Sequence, residues 1–271
     1  MNPQIDWTEA NGASLRCATF GNATGAAPLV MLHEVGGAIE SLTATARILA
    51  TGRPVIAYDQ RGFGLSERAN ALTLTGMVDD LEALLDARGL SAVHILGAAL
   101  GGTIGLMLAE RAPHRVLSVI AASPPIHAIP EKFVGFLQQR ARTAVAEGMR
   151  GIAEASLSMS WPEHLRSDAR AFAQFRLRYL ANDPESFAAV TLAMLTLDMD
   201  PLLPRIGAPA LIIGCTEDRF APPEEGRKVA EALPRGHYAE IQSGHFVGLI
   251  APAALAAAAE TFLESIDAQS R

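Results

Sequence analysis

The side chains best suited to moving a proton in this chain of 271 residues stand directly after short apolar runs. His33 and Glu34 follow Leu29-Val30-Met31-Leu32, and Asp59 follows Val55-Ile56-Ala57-Tyr58. Asp218 comes shortly after Ala210-Leu211-Ile212-Ile213-Gly214, and His245 closes Ser243-Gly244-His245 just beyond Tyr238-Ala239-Glu240-Ile241. Imidazole and carboxylate groups are the usual general acids and bases of enzymes. A fifth run, Val93-His94-Ile95-Leu96, ends differently, in Gly97-Ala98-Ala99-Leu100-Gly101-Gly102, followed by Ile104-Gly105-Leu106-Met107-Leu108-Ala109. That is a strand, a sharp turn and a helix, the small residues letting the turn close without clashes. The turn offers no nucleophile, because a methyl group cannot attack a carbonyl and no base can activate it.

The elements that must position these groups follow from the apolar pattern. Residues 5–7 and 15–20 flank Asn11-Gly12, a strong hairpin signal. Continuous apolar runs at 29–32, 55–58, 93–96, 116–122 and 210–214, with a short one at 238–241, read as strands, the longest-buried of them covered on both faces. Between them lie helical patterns carrying Ile39, Leu42, Ala46 and Leu49, then Met77, Leu81, Leu84 and Leu85 with Gly89 as the stop, and 223–233; a last helix is expected over 246–266. Strand–helix alternation implies right-handed βαβ units and an α/β fold with a mostly parallel eight-stranded sheet. The alternation breaks at Ser123-Pro124-Pro125, after which 133–147, 149–159, 168–181 and 184–197 read as helices. The expected organisation is a core over 1–123, a helical cap over 124–205 and a second core segment over 206–271. The pocket should lie between cap and sheet, at the carboxyl ends of the strands.

Composition narrows the function classes. The hydrophobic fraction of 49% and the charged fraction of 19% describe an ordinary globular chain. A net charge of -7 argues against nucleic acid and anionic membranes as partners, and the expected partner is a small-molecule substrate. Two cysteines, Cys17 and Cys215, lie in apolar runs and read as buried thiols. No stretch approaches the ~20 apolar residues of a membrane span, and no basic-then-apolar leader is visible; a cytoplasmic protein is expected. His94, His114, His127, His164 and His237 show no metal-ligand spacing, so neither metal nor other cofactor is expected.

The segment order, the tight turn, the run Asp59-Gln60-Arg61-Gly62-Phe63-Gly64-Leu65-Ser66, the run Gly214-Cys215-Thr216-Glu217-Asp218 and the late Ser243-Gly244-His245 resemble the α/β-hydrolase superfamily along nearly the whole chain. The four-helix cap and the run at 214–218 with Pro223 and Gly226 resemble its 3-oxoadipate enol-lactonase-like branch. The turn is then similar to the family's nucleophile elbow, G-x-S-x-G, with Ala99 in the serine position. The resemblance implies that His245 is the general base and Asp218 the acid that orients it, with Glu217 a rival for that place. It implies that the N–H groups of Leu100 and Val35 hold an oxyanion, and that His33 braces their loop. Where the family has His-Gly, this chain has His33-Glu34, so Glu34 either points away from the site or takes part in the chemistry. Asp59 and Arg61 read as loop holders, and Trp161 and Met159 as packing or a pocket lid. Arg140, Arg142, Arg176 and Arg178 read as solvated helix faces or as contacts to a substrate carboxylate.

Ala99 leaves two accounts open: a serine enzyme whose nucleophile was replaced by engineering, or natural divergence. Three functions are carried forward. The first is hydrolysis of a small ester or lactone. The second is a cofactor-free lyase, isomerase or oxygenase in which His245 or Glu34 moves a substrate proton. The third is a hydrolase homologue that binds a small ligand without turning it over.

Overall fold

A computed structural model of the protein describes residues 2–21 and 25–269. β1 (Gln4–Ala10) and β2 (Ala13–Phe20) form an antiparallel hairpin. Its turn residues Asn11 and Gly12 both have positive φ, 49° and 72°, as a type I′ turn needs. The chain continues through β3 (Leu29–Leu32), α1 (Ile39–Leu49), β4 (Val55–Tyr58), α2 (Leu74–Ala87), β5 (Val93–Ala98), α3 (Leu100–Arg111) and β6 (Val116–Ala122). Helices α4 (Glu131–Glu147), α5 (Arg150–Ser160), α6 (Ala169–Leu180) and α7 (Pro184–Ala193) come next, and then β7 (Ala210–Cys215), α8 (Pro223–Ala232), β8 (Gly236–Ile241), α9 (Val247–Ile250) and α10 (Pro252–Gln269). From 123 to 209 there are only helices and irregular backbone.

The eight strands form one sheet in the order β1-β2-β4-β3-β5-β6-β7-β8. β2 is antiparallel to both of its neighbours, and every pairing from β4 through β8 is parallel. The period-2 alternation of a strand splits the apolar residues between two cores. Val30 and Leu32 face α2, α3 and the helices between β6 and β7, whereas Leu29 and Met31 face α1 and α10. Every residue of β3, β4, β5 and β7 is buried, which is why these strands read as unbroken apolar runs. None of the described helices is long and apolar enough to cross a membrane.

Two expected helices differ from the structure. The helix expected over 246–266 is two helices, because Pro252 lacks an N–H and disfavours helical geometry at Ala251, which adopts φ -135° and ψ 53°. The helix expected over 184–197 stops at Ala193 and tightens into a 3-10 turn over Met194–Thr196.

Candidate active site

The site is organised by the reversal between β5 and α3, which a single residue accomplishes. Ala99 has φ 45° and ψ -120°, is 4% exposed, and donates its N–H to the Ala122 carbonyl at 2.8 Å. The reversal is possible because there is no side chain at the crossing points. A Cβ on Gly97 would lie 2.2 Å from backbone atoms of Gly101 and Gly102, and one on Gly101 would lie 2.4 Å from the Leu32 carbonyl oxygen. Leu100 is the first residue of α3, so its N–H has no acceptor within the helix and lies at the positive end of the helix dipole.

Parallel register brings the other candidates to the same edge. His33 and Glu34 leave β3, Ala99 leaves β5, Ser123 leaves β6, Asp218 lies three residues past β7, and His245 lies past β8. His245 Nδ1 donates to Asp218 Oδ2 at 2.7 Å. The other carboxylate oxygen, Oδ1, accepts from the N–H groups of Phe220 at 2.8 Å and Ala221 at 3.1 Å. Glu217, the rival acid, points elsewhere and pairs with His164. Burial pushes the Asp218 carboxyl upward, but the His245 charge and hydrogen bond, the Ala221 N–H and the Ser123 hydroxyl together hold it below the usual carboxylate range. Burial pulls the His245 imidazole down. Asp218 more than reverses that, Glu34 adds to the rise, and Arg140 opposes it. The net effect is an imidazole that holds a proton more readily than an ordinary histidine.

The loop after β3 is built from side chains on three sides. Gly37 N–H closes a turn on the Glu34 carbonyl at 2.9 Å, with Val35 and Gly36 at its corner and Gly36 at φ 79°. His33 Nδ1 donates to the Glu34 carbonyl at 2.7 Å, while Nε2 accepts the Gln60 N–H at 3.0 Å and the Gln60 side chain donates to the His33 carbonyl at 2.7 Å. His33 is therefore a brace. Glu34 is 3% exposed, accepts the Ser41 hydroxyl at 2.7 Å and lies close enough to raise the proton affinity of His245. Its carboxylate is folded back toward α1, and the site feels its charge. Asp59, fully buried, accepts the N–H groups of Ile39 and Leu65 and pairs with Arg16; Arg61 pairs with Asp80. Both hold loops, as expected.

The four arginines singled out in the helical layer divide. Arg142 bonds to Gln139 and Arg176 to Glu154, both outward. Arg140 bonds to Ser156 and Tyr179, each at 3.1 Å, and lies over the Phe187 ring. Arg178 is half-buried; burial lowers its pKa, against the opposing pull of Glu40 and Glu34. Trp161 is 2% exposed among Phe172 and Phe175 and is a packing residue. The same layer presses on the site: Tyr179 lies against Gly36, Asn182 donates to the Gly36 carbonyl at 2.9 Å, and the Ser160 carbonyl abuts Gly244. Both cysteines are free and buried, and burial pushes the Cys215 thiol up to about 12. No group of metal-binding side chains occurs among the described residues.

Sequence reasoning missed Gln60, Ser41 and Ser123. Gln60 sits inside the run at 59–66 but carries no signal of its own. Ser41 is the third residue of a helix preceded by Ala38, which has no capping side chain of its own to mark the start.

Comparison with known proteins bears on this arrangement. A family model described as the alpha/beta hydrolase fold matches residues 27–252. The enol-lactonase of Burkholderia xenovorans LB400 superposes with a TM-score of 0.85 at 25% identity, covering 96% of this chain and 98% of that one. A provisionally named carbamate hydrolase of Variovorax paradoxus is 30% identical over 234 residues, covering 81% of this chain and 84% of that protein. A thermophilic esterase from Thermogutta terrifontis has a TM-score of 0.90 at 24% identity over 97% of this chain and 99% of its own, a likeness of fold alone.

Proposed function

The chain belongs to the α/β-hydrolase fold family, and on that premise we propose that it hydrolyses a small carboxylic ester or lactone, with a water molecule in place of the missing serine hydroxyl. The observation that carries this reading is the 2.7 Å bond from His245 to Asp218, kept beside an elbow residue still held at φ 45°. A strained backbone persists where something uses it. With no hydroxyl at Ala99, what the strain still delivers is the N–H of Leu100 at a helix N-terminus, an oxyanion donor.

In this reading His245 Nε2 takes a proton from water as the water oxygen attacks the carbonyl carbon. The carbonyl oxygen becomes an oxyanion held by the N–H groups of Leu100 and Val35. Asp218 keeps Nδ1 as the donor and stabilises the imidazolium. When the tetrahedral adduct collapses, the carbon–oxygen bond to the leaving group breaks and His245 returns its proton to that oxygen. Residues 124–205 act as the cap, covering a site at the carboxyl ends of the strands. The name of a related solved structure, an enol-lactonase, supports the ester or lactone class.

The test is turnover of p-nitrophenyl acetate and a panel of small lactones by the parent chain, His245→Ala and Ala99→Ser. The parent is expected to be active, His245→Ala to lose activity by about 100-fold or more, and mass spectrometry to find no acyl-enzyme on the parent. An inactive parent that gains esterase activity as Ala99→Ser would overturn the water mechanism. A second reading rests on Glu34, a buried carboxylate within the field of His245: a cofactor-free lyase, isomerase or oxygenase that abstracts a carbon-bound proton. Solvent deuterium exchange into a substrate, abolished by Glu34→Gln, would favour it.

A further inference from the structure

Ser123, at the end of β6, has no place in the reaction just described. It is 3% exposed, its Oγ has no hydrogen bond of standard geometry among the described residues, and its φ is 51°. Both properties work against folding. Serine avoids the left-handed region that glycine enters freely, and a buried hydroxyl without a partner has given up its water for nothing. Among the described residues two other non-glycine positions share the positive φ: Asn11 in the hairpin turn, where asparagine is tolerated, and Ala99 in the elbow. A glycine at 123 would remove both penalties, so the serine side chain needs a reason.

Its position supplies one. Ala98 pairs with Ala122, so Ser123 lies beside Ala99 across the β5–β6 ladder. The Ala99 N–H donates to the Ala122 carbonyl, and the Ser123 N–H donates to the Ile213 carbonyl, each at 2.8 Å. Ile213 belongs to β7, the strand that leads to Asp218. Ser123 is thus clamped between the elbow and the acid. Among the described residues, Asp218 Oδ1 takes two backbone N–H groups and Oδ2 takes His245. We propose that Ser123 is a positioning residue for the Asp218–His245 pair, its hydroxyl rotating onto Asp218 to fill the remaining acceptor site and hold the carboxylate in line with Nδ1. In keeping with this, the hydroxyl helps draw down both the Asp218 carboxyl and the neighbouring Cys215 thiol. The catalytic consequence rests on His245 acting as base; the contact itself does not.

The charged and titratable groups that face the pair are Cys215 on β7, Glu34 in the loop after β3 and Arg140 on α4. Substituting Ser123 leaves all three in place. The test is a nitrogen-15 NMR titration of histidine-labelled full chain, with His245 assigned by the loss of its signals in His245→Gln. Without the hydroxyl the carboxylate attracts the imidazole proton more strongly. In both Ser123→Ala and Ser123→Gly the His245 pKa is therefore expected to rise by about half a pH unit. Ser123→Gly also relieves the φ and should melt no lower than the parent. In ester hydrolysis the acid limb should move upward equally, kcat falling severalfold with KM held. If His245 titrates at the parent pH in both variants, the hydroxyl does not reach Asp218 and the proposal falls. If the titration moves but the parent turns over no ester, the positioning role stands and the hydrolase reading fails.

Discussion

One alanine, placed at Gly101 or at Gly135, should have opposite effects on stability. Both residues lie in helices, Gly101 in α3 and Gly135 in α4. In a helix interior Gly→Ala is worth about 0.5–1 kcal/mol in favour of folding. At Gly135 a new Cβ meets nothing within 4 Å, so the gain should appear nearly whole. At Gly101 the Cβ would lie 2.4 Å from the Leu32 oxygen, 2.7 Å from its carbonyl carbon and 2.8 Å from the His33 oxygen, all buried backbone where β3 ends. Overpacking of this kind costs about 1–3 kcal/mol, and more where nothing can yield; with backbone on both sides the upper end applies. Net of the propensity gain, Gly101→Ala should destabilise by about 2 kcal/mol, lowering Tm by about 4–8 °C for a chain of this size. Gly135→Ala should raise Tm by about 2 °C. Thermal unfolding followed by circular dichroism measures both. Because the collision displaces the segment that carries His33 and the loop after it, Gly101→Ala should also lose activity, while Gly135→Ala keeps it. A Gly101→Ala protein melting within a degree of the parent would show that the strand–helix approach is not the constraint described here.

Three further outcomes follow from the same contacts. Asp218→Asn removes the charge that offsets burial at His245, so the imidazole pKa should fall, the acid limb of the rate profile should move to lower pH, and the maximal rate should drop at least about 100-fold; histidine NMR and a pH–rate profile check this. His94, buried in β5 beside Ser118, is pushed down to about 4, first by burial and then by Arg53, with Asp267 opposing. Its folded pKa lies below the unfolded value, so the stability it preserves is complete above about pH 6.5 and is lost as pH falls toward 4, by about 3 kcal/mol at most. Urea unfolding at pH 7 and pH 4.5 should show this loss in the parent and a smaller one in His94→Gln. Breaking the exposed pair of His164 with Glu217 by Glu217→Gln should change stability by less than about 0.5 kcal/mol, which chemical unfolding would register.

Much of the fold could be read from the residues because burial on both faces leaves an unbroken apolar signature. β3, β4, β5 and β7 were legible for that reason, as were the Asn11-Gly12 turn and the elbow glycines. Pro252 was visible too, yet the apolar pattern ran across it, and a pattern cannot show that the chain pauses for one residue before resuming. The Asp218–His245 contact was implied by the resemblance to the α/β-hydrolase superfamily, carried by the runs at 214–218 and 243–245. What stayed hidden was supplied by atoms with no sequence signature: the Gln60 backbone N–H that fixes the His33 ring, the Ser41 hydroxyl that turns Glu34 toward α1, and the positive φ of Ser123, which is a property of backbone placement. The division of the arginines was equally invisible, since only the tertiary contacts distinguish Arg142, facing Gln139, from Arg140, facing Tyr179.

The absent oxygen at Ala99 reaches beyond the reaction itself. A reagent that labels a protein by bonding covalently to a serine hydroxyl at this position meets only a methyl group here, with no atom to bond. In a proteome surveyed with such labels this chain would go unseen, however fast it turned over its substrate.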